Sequence, residues 1–462
     1  MERGTKATAF YIKHRIKLFI FTAGVLVYIL LCELLLPRPL FEQPLCLVME
    51  DQNGQLLGAS IAADGQWRFP PGDSIPVKYT QALLHFEDKR FAYHPGIDPL
   101  ALARALMQNL KSGRVVSGGS TLTMQVVRLA RQKNRTLLQK SIEMMLAVYL
   151  EMKYSKEEIL RIYASHAPFG GNVVGLEAAS WRYFGTQPRQ LTWGESALLA
   201  VLPNNPSMVH PGRNREHLVI KRNHLLQRLC SAGIIDSLTC GISQAEPLPD
   251  RPYPIPRKAP QLLTRILNET KNGGRYKTTL SGSLQESINA LMIKHSAAWN
   301  ANSIHNAAVL VIEVESGKTL AYVGNLPGET ATVPHGDVDI IMAPRSPGST
   351  LKPILYAAML SDGLILPTTL VADIPARISG FAPKNFDLSH SGPSGTRPFT
   401  ECSCRFHAQA VRGREIPSSD EKSGIYHADS TSGTLWIITH TGRLRSHIVG
   451  TVRCILQYGT HA

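Results

Sequence analysis

The chain has 462 residues, of which 44% are apolar, so it is long enough for two or three domains with a substantial core. Its formal net charge of +14 and its pI near 9.5 indicate an anionic partner. Nucleic acid is not supported as that partner, because no zinc-finger spacing, RNP signature or basic heptad is present. A membrane surface or a lipid diphosphate explains the charge as well. The seven cysteines show neither metal-ligand spacing nor a disulfide framework.

An apolar segment near the N-terminus, residues 18–36, has close to the roughly 20 residues that cross a bilayer. Five basic residues precede it, so the positive-inside rule places residues 1–17 in the cytoplasm. No small-residue cleavage pattern follows, which favours an uncleaved anchor over a signal peptide. The rest of the chain is then expected outside the inner membrane, in the periplasm of a Gram-negative cell. Glu33 lies near the outer end of the segment, where it is expected to snorkel to the interface.

A small β element is predicted between the anchor and the next domain, over residues 37–68. Residues 46–69 alternate apolar and polar side chains around two turn signals, Gln52-Asn53-Gly54 and Asp64-Gly65. This pattern is typical of a strand–turn–strand unit, to which no catalytic role is assigned.

The stretch from Phe86 to Arg128 holds the candidate catalytic groups. Glu87 and Asp88 fall where an amphipathic helix that starts near residue 75 runs out. Carboxylates at a helix C-terminus oppose the macrodipole, which raises their pKa and suits a general base or acid. A solvated acidic pair is the alternative interpretation of an exposed Glu-Asp at a helix end.

A second helix is predicted after Asp98, which caps it, and before Ser112-Gly113, which ends it. Its leucines at helical spacing, Leu102, Leu106 and Leu110, are expected to face inward.

Residues 118–120, Gly-Gly-Ser, are predicted to open a third helix. Glycines allow close approach of a ligand to the backbone, and free N–H groups at a helix start favour an anionic phosphate. Gln125 and Arg128 are three residues apart and Arg135 follows seven residues later, so the three share a face if the helix persists. Ordinary surface charge is the alternative for each arginine alone. A base, an open glycine turn and a row of cations together suggest sugar transfer from a diphosphate donor.

This stretch resembles the family 51 peptidoglycan glycosyltransferases, which are the polymerising domains of class A penicillin-binding proteins. The matching segments are residues 87–91 (EDKRF), 94–98 (HPGID) and 118–125 (GGSTLTMQ), in the order of the first two signatures of the family. The resemblance implies a mainly helical, lysozyme-like fold over residues 69–211. It also implies that the domain joins lipid II into β-1,4 glycan strands.

The resemblance further implies roles for single residues. Glu87 is expected to deprotonate the 4-hydroxyl of the acceptor N-acetylglucosamine. Three cations are expected to neutralise the departing diphosphate, with Mg²⁺ or Mn²⁺ as an optional cofactor, and four further residues are expected to bind substrate. The cations are Arg128, Arg135 and Lys140, and the further residues are Asp88, Ser120, Gln125 and Glu143.

Two later acidic positions each have two interpretations. Family members carry Arg-Lys-x-x-Glu where this chain has residues 139–143 (QKSIE), so Lys140 and Glu143 are kept and one arginine is lost. A plain salt bridge between Lys140 and Glu143 on the helix surface is the alternative. Glu158 completes a capping box with Ser155, whereas the family places a glutamate of this motif in the catalytic cleft near the acceptor.

A basic and then proline-rich linker, residues 212–275, precedes a second domain. Residues 276–392 resemble the N-terminal part of a penicillin-binding transpeptidase. Ser349 and Lys352 stand in an S-x-x-K motif, in which a neutral lysine takes the serine proton during attack on an acyl donor.

The later motifs of a penicillin-reactive site are not found in this sequence. No S-x-N follows Lys352, and His440-Thr441-Gly442 stands too close to Ser349 to serve as K-T-G. Residues 393–462 lack clear periodicity and resemble a frame-shifted or prematurely ended tail. Ser349 is therefore expected to be present without turning over, and a fluorescent penicillin is expected not to label it.

The predicted architecture is multidomain: an N-terminal transmembrane helix, a mainly α lysozyme-like glycosyltransferase domain and an incomplete α+β penicillin-binding transpeptidase domain. The predicted function is lipid II polymerisation at the outer face of the inner membrane, with cell-wall synthesis proteins as further partners. A muramidase that uses the same carboxylate as an acid is one rival, and a non-catalytic scaffold is another. The diphosphate-facing cations and the membrane anchor favour synthesis.

Overall fold

The computed structural model describes residues 2–72, 74–113, 118–134, 136–204, 215–327, 335–344, 352–367, 369 and 375. The chain divides into two compact units. The first unit holds Met1–Glu313 and Lys318–Val338, and the second holds Val314–Gly317 and Asp339–Ala462. Glu87 and the residues around it belong to the first unit.

The described part of the chain is mainly helical. Its α-helices are α1 (Glu2–Leu35), α2 (Val77–Glu87), α3 (Pro99–Ser112), α4 (Leu122–Arg131), α5 (Leu137–Lys153), α6 (Lys156–His166), α7 (Leu176–Phe184), α8 (Trp193–Val201), α9 (Arg215–Ser231), α10 (Ser237–Ala245), α11 (Pro260–Thr270), α12 (Gly282–Ala301) and α13 (Lys352–Ser361). Its strands are β1 (Leu47–Glu50), β2 (Leu56–Ser60), β3 (Trp67–Arg68), β4 (Pro168–Gly170), β5 (Val173–Val174), β6 (Gly274–Lys277), β7 (Val309–Ile312) and β8 (Thr319–Val323). The strands form three small sheets, ordered β2-β1-β6, β3-β5-β4 and β7-β8.

Helix α1 is long and apolar enough to cross a membrane. The stretch His14–Leu35 has a mean hydropathy of 2.5, which confirms the predicted apolar helix. Glu33 does not extend freely from this helix but turns toward α5. There it accepts a hydrogen bond from the Tyr149 hydroxyl and lies 3.5 Å from the Lys153 ammonium group. These donors replace the water that the carboxylate loses against the protein surface.

The predicted strand–turn–strand unit is confirmed by β1 and β2, which pair antiparallel. Strand β6 follows helices α2 to α11 in the chain and pairs parallel with β1. Arg275 on β6 donates to Glu177 on α7 at 2.7 Å and forms an ion pair with Glu50 on β1. This small sheet therefore joins the chain that precedes these helices to the chain that follows them.

Helix α3 begins and ends where the sequence predicts. The Asp98 side chain accepts a hydrogen bond from the Ala101 N–H, and Gly113 ends the helix in the left-handed conformation. The prediction that Leu106 and Leu110 face inward is wrong, because they are 61% and 73% exposed. The spacing of the leucines indicates an apolar face on this helix. It does not indicate whether the rest of the protein covers that face.

Helix α4 carries the predicted polar residues into the centre of the helical domain. Thr121 caps the helix by accepting a hydrogen bond from the Met124 N–H at 3.2 Å. Leu122 and Met124 are fully buried, and each such side chain contributes on the order of 2 kcal/mol to folding. Burial of this face directs Gln125 toward α2 and Arg128 toward α5.

Gly96, in the connection between α2 and α3, is expected to tolerate no side chain. Its φ is 91°, and a Cβ at this position would lie 2.6 Å from the Ala147 carbonyl oxygen. Gly113 has a φ of 61°, but a Cβ there would meet nothing within 4 Å. Gly96→Ala should therefore lower the thermal unfolding midpoint more than the matched Gly113→Ala, because a backbone clash adds to the left-handed strain of roughly 1–2 kcal/mol that both share. Equal shifts of the two midpoints would contradict this packing.

Candidate active site

Glu87 is the last residue of α2, and its side chain is partly buried against α4. The carboxylate accepts hydrogen bonds from Gln125 Nε2 at 2.7 Å and from Asn204 Nδ2 at 3.3 Å. Burial raises the pKa of Glu87 above its usual range, against the two amide donors, while the charge of Asp88 raises it further and that of Arg128 lowers it. The predicted direction is confirmed, with burial rather than the macrodipole as the main cause. A carboxylate in this environment is suited to accept a proton.

Asp88 is buried beneath the site and not directed into it. It is 6% exposed, and its Oδ2 accepts a hydrogen bond from the Leu122 N–H at 3.1 Å and lies 3.0 Å from His94 Nε2. The carboxylate thus ties the end of α2 to the start of α4 and sets Gln125 beside Glu87. The predicted contact of Asp88 with substrate stays a prediction.

The start of α4 is less open than the sequence predicts. The Leu122 N–H is taken by an aspartate side chain and the Met124 N–H by the capping hydroxyl, so the prediction that these groups are free for a phosphate is wrong. A Cβ at Gly119 would lie 2.8 Å from Leu102 Cδ2, so this glycine is required for packing against α3. Gly118 has nothing within 4 Å of its Cβ position and leaves space beside the turn.

Arg128 is held in a bidentate ion pair with Glu143 of α5. The Nη2 atom lies 2.9 Å from Glu143 Oε2, and Nε lies 3.1 Å from Oε1. The Arg128 side chain is 26% exposed and that of Glu143 is 8% exposed, so the pair is largely removed from water. Nη2 also lies 3.4 Å from Ser120 Oγ. In the described part of the chain, Nη1 of Arg128 has no hydrogen-bond partner, which leaves this edge of the guanidinium for a ligand.

Lys140 lies in the first turn of α5, one turn before Glu143, and is partly exposed. The alternative salt bridge between these two residues is not formed, since Glu143 is paired with Arg128. Lys140 has no ion-pair partner among the residues that the structure describes.

The condition for a shared helix face of Gln125, Arg128 and Arg135, that one helix continues through all three, is not met. Helix α4 ends at Arg131, and Gln132 follows in the left-handed conformation with a φ of 49°, so the helix that carries Gln125 and Arg128 stops short of Arg135. Arg135 itself lies outside the described residues.

Two residues that bond to Glu87 or Gln125, Asn204 and Tyr163, were not predicted as site residues from the sequence. Asn204 closes a short 3-10 turn after α8. Tyr163 on α6 is 1% exposed, and its hydroxyl donates to Gln125 Oε1 at 3.4 Å. Both lie far from Glu87 along the chain, and neither residue type forms a recognisable spacing. The sequence feature that could have identified Asn204 is weak: its amide side chain directly follows an apolar run.

The chain matches a family of known proteins. Residues 53–230 match the family described as Transglycosylase. Penicillin-binding protein 1C of Escherichia coli (strain K12) is 38% identical over 358 residues, which cover 77% of this chain and 46% of that protein. The chain belongs to the class A penicillin-binding proteins.

Further relatives of this penicillin-binding protein are more distant. Penicillin-binding protein 1F of Bacillus subtilis (strain 168) is 29% identical over 363 residues, 74% of this chain and 49% of that protein. A crystal structure of Penicillin-Binding Protein 1A from Haemophilus influenzae covers 76% of this chain and 58% of that chain, at 16% identity and a TM-score of 0.32. The chain spans about half the length of the curated relatives it matches.

Glu158 of this penicillin-binding protein is a helix cap. Its Oε2 accepts hydrogen bonds from the Ser155 N–H and from Ser155 Oγ, both at 2.8 Å, which confirms the capping box. The bond from the Ser155 backbone is the main reason that the pKa of Glu158 is lowered. A carboxyl group with a lowered pKa on an exposed helix end is a poorer base than Glu87, and the expected catalytic role of Glu158 stays a prediction.

The S-x-x-K motif of this penicillin-binding protein is almost entirely outside the described residues. Ser349 is not described, and Lys352 is described only as the first residue of α13. The predicted roles of both therefore stay predictions. Within the described ranges, no group of three or more His, Cys, Asp or Glu side chains could hold a metal ion, so no catalytic step is assigned to Mg²⁺ or Mn²⁺.

Proposed function

We propose that this chain polymerises lipid II, joining its disaccharide units by β-1,4 linkages and releasing polyprenyl diphosphate. The observation that carries the proposal is the position of Glu87, whose pKa is raised by burial, in one cluster with the ion-paired Arg128. Sugar transfer from a diphosphate requires one group that takes a proton and another that stabilises a departing anion. A lysozyme-like fold for residues 69–211 belongs to the same proposal.

The proposed reaction is an inverting displacement. Glu87 takes the proton of the 4-hydroxyl of the acceptor N-acetylglucosamine while that oxygen attacks the anomeric carbon of the donor N-acetylmuramic acid. The bond from this carbon to the diphosphate oxygen breaks, and its electron pair leaves with the polyprenyl diphosphate. Arg128, through Nη1, and Lys140 stabilise the charge that develops on the leaving group. The family resemblance alone adds Arg135 as a third cation.

The proposal places the catalytic domain in the periplasm at the outer face of the inner membrane, with α1 as a single-pass anchor and a cytoplasmic N-terminus. The apolar helix α1 supports the anchor. Helix α3 exposes Leu100, Leu106 and Leu110 on the protein surface. Contact of these three apolar side chains with water is unfavourable. A bilayer surface or a lipid chain would cover them.

The remaining parts of the proposal rest on sequence. We propose, on the family resemblance, that Ser349 and Lys352 are the S-x-x-K pair of a penicillin-binding transpeptidase domain. Cell-wall synthesis proteins are proposed as partners on the family resemblance.

Incubation of the purified full chain with fluorescent lipid II in detergent tests the proposed function. The expected result is a ladder of glycan polymers that a muramidase can digest. Shortening of preformed glycan without any polymer would point to a hydrolase, and the absence of both reactions would point to a scaffold. Either of these two results would overturn the proposal.

A further inference from the structure

A path of hydrogen bonds leads from the interior of the domain to Glu87. The Tyr163 hydroxyl donates to Gln125 Oε1 at 3.4 Å, and Gln125 Nε2 donates to Glu87 Oε2 at 2.7 Å. The oxygen and the nitrogen of the Gln125 amide therefore bond to two different residues. Tyr79 lies in the same buried cluster, but its hydroxyl has no hydrogen-bond partner among the described residues.

The direction of the Gln125 amide decides which form of Glu87 is stabilised. With Nε2 toward Glu87, the amide donates and favours the charged carboxylate, which is the form that accepts a proton. With Oε1 toward Glu87, the amide could only accept, which favours the protonated carboxyl group. An amide free to turn would therefore stabilise Glu87 in the form that is inactive as a base.

Tyr163 is suited to favour the first of these orientations. It is 1% exposed and fixed on α6, so its hydroxyl has little freedom to follow a moving partner. Burial and the charge of Glu87 raise the pKa of Tyr163 well above its usual value, so the hydroxyl keeps its proton and can donate to Oε1 at every pH of interest. This bond polarises the amide and strengthens the hydrogen bond that Nε2 donates to Glu87.

We propose that Tyr163 is a positioning residue for the polymerisation reaction, which stabilises the orientation of the Gln125 amide in which Nε2 donates to Glu87. The inference rests on the proposed function of Glu87 as the general base. It adds a residue on α6 to the hydrogen-bonded group of Glu87, Gln125 and Asn204.

The pH dependence of kcat/KM for lipid II polymerisation tests the inference, because its acid limb reports the pKa of the base in the free enzyme. Tyr163→Phe should move that limb upward by roughly 0.5 to 1 pH unit, the shift that corresponds to losing one modest hydrogen bond. Tyr183→Phe is the matched control, since Tyr183 is also 1% exposed and its hydroxyl donates to the Phe169 carbonyl oxygen at 3.0 Å, away from Glu87. The acid limb of kcat/KM for this control should lie at the same pH as that of the wild type.

A second pair of variants separates positioning from general loss of stability. Gln125→Leu removes the donor itself and should shift the limb at least as far as Tyr163→Phe, and adding Tyr163→Phe to it should cause no further shift. A wild-type limb in a folded Tyr163→Phe protein, or in Gln125→Leu if the tyrosine variant cannot be purified, would overturn the inference and leave the proposed function standing. Failure of the wild-type chain to polymerise lipid II would overturn the proposed function itself.

Discussion

Glu87→Gln should lower the rate of lipid II polymerisation by a factor on the order of 10²–10⁴, which is the range that a general base contributes. Glutamine keeps the shape of the side chain but cannot take the proton of the attacking hydroxyl. Burial raises the pKa of Glu87, so the folded state binds this proton more tightly than the unfolded state, and stability is lost as the pH rises through the raised pKa. A neutral amide removes that loss, so at neutral pH the thermal unfolding midpoint should stay equal or rise.

Glu157→Gln is a matched control for this variant. Glu157 is an exposed glutamate in the first turn of α6, where its carboxylate lies 3.8 Å from Arg161. The same change of carboxylate to amide at this position should leave the polymerisation rate near that of the wild type. Similar rates for Glu87→Gln and Glu157→Gln would remove Glu87 from the mechanism.

Arg128→Met is expected to have the second largest effect. It removes the cation that is proposed to stabilise the departing diphosphate, so the rate should fall roughly 10²–10³-fold. It also leaves Glu143, whose side chain is 8% exposed, without its ion-pair partner. Breaking a fully buried pair costs about 3–5 kcal/mol, and the cost is expected to be lower here because the Arg128 side chain is 26% exposed, so the thermal unfolding midpoint should fall as well.

A double variant separates the catalytic effect from the structural one. Arg128→Met combined with Glu143→Leu replaces the whole ion pair by apolar side chains, a change that often leaves stability intact. The unfolding midpoint should recover while the polymerisation rate, measured with fluorescent lipid II, stays low. Recovery of both quantities together would show that Arg128 acts only by supporting the fold.

The parts of the site that the sequence predicted are those set by local geometry. Glu87 lies at the end of a helix, and Gln125 and Arg128 share the polar side of α4, because apolar spacing decides which side of a short helix is buried. The cap at Asp98 and the capping box at Glu158 were also predictable, since each depends on residues within one helical turn.

The parts that the sequence did not predict depend on contacts between distant segments. Asn204 reaches Glu87 across 117 positions of the chain, and no spacing rule relates the two. The resemblance assigns Asp88 to substrate binding, but nothing in the sequence indicates that the Leu122 N–H donates a hydrogen bond to its side chain. The end of α4 at Arg131 was not predicted, because Gln132 follows it in the left-handed conformation without a glycine or proline to signal the end.

Glu87, with a pKa raised by burial, is proposed to be the base that takes the proton of the acceptor hydroxyl. The pH dependence of kcat/KM for lipid II polymerisation by the wild-type chain tests it most directly. We expect activity to fall with decreasing pH through a single acid limb that lies clearly above the value of about 4.3 of an ordinary glutamate. An acid limb at or below that ordinary value, or a rate that does not depend on pH in this range, would contradict the claim.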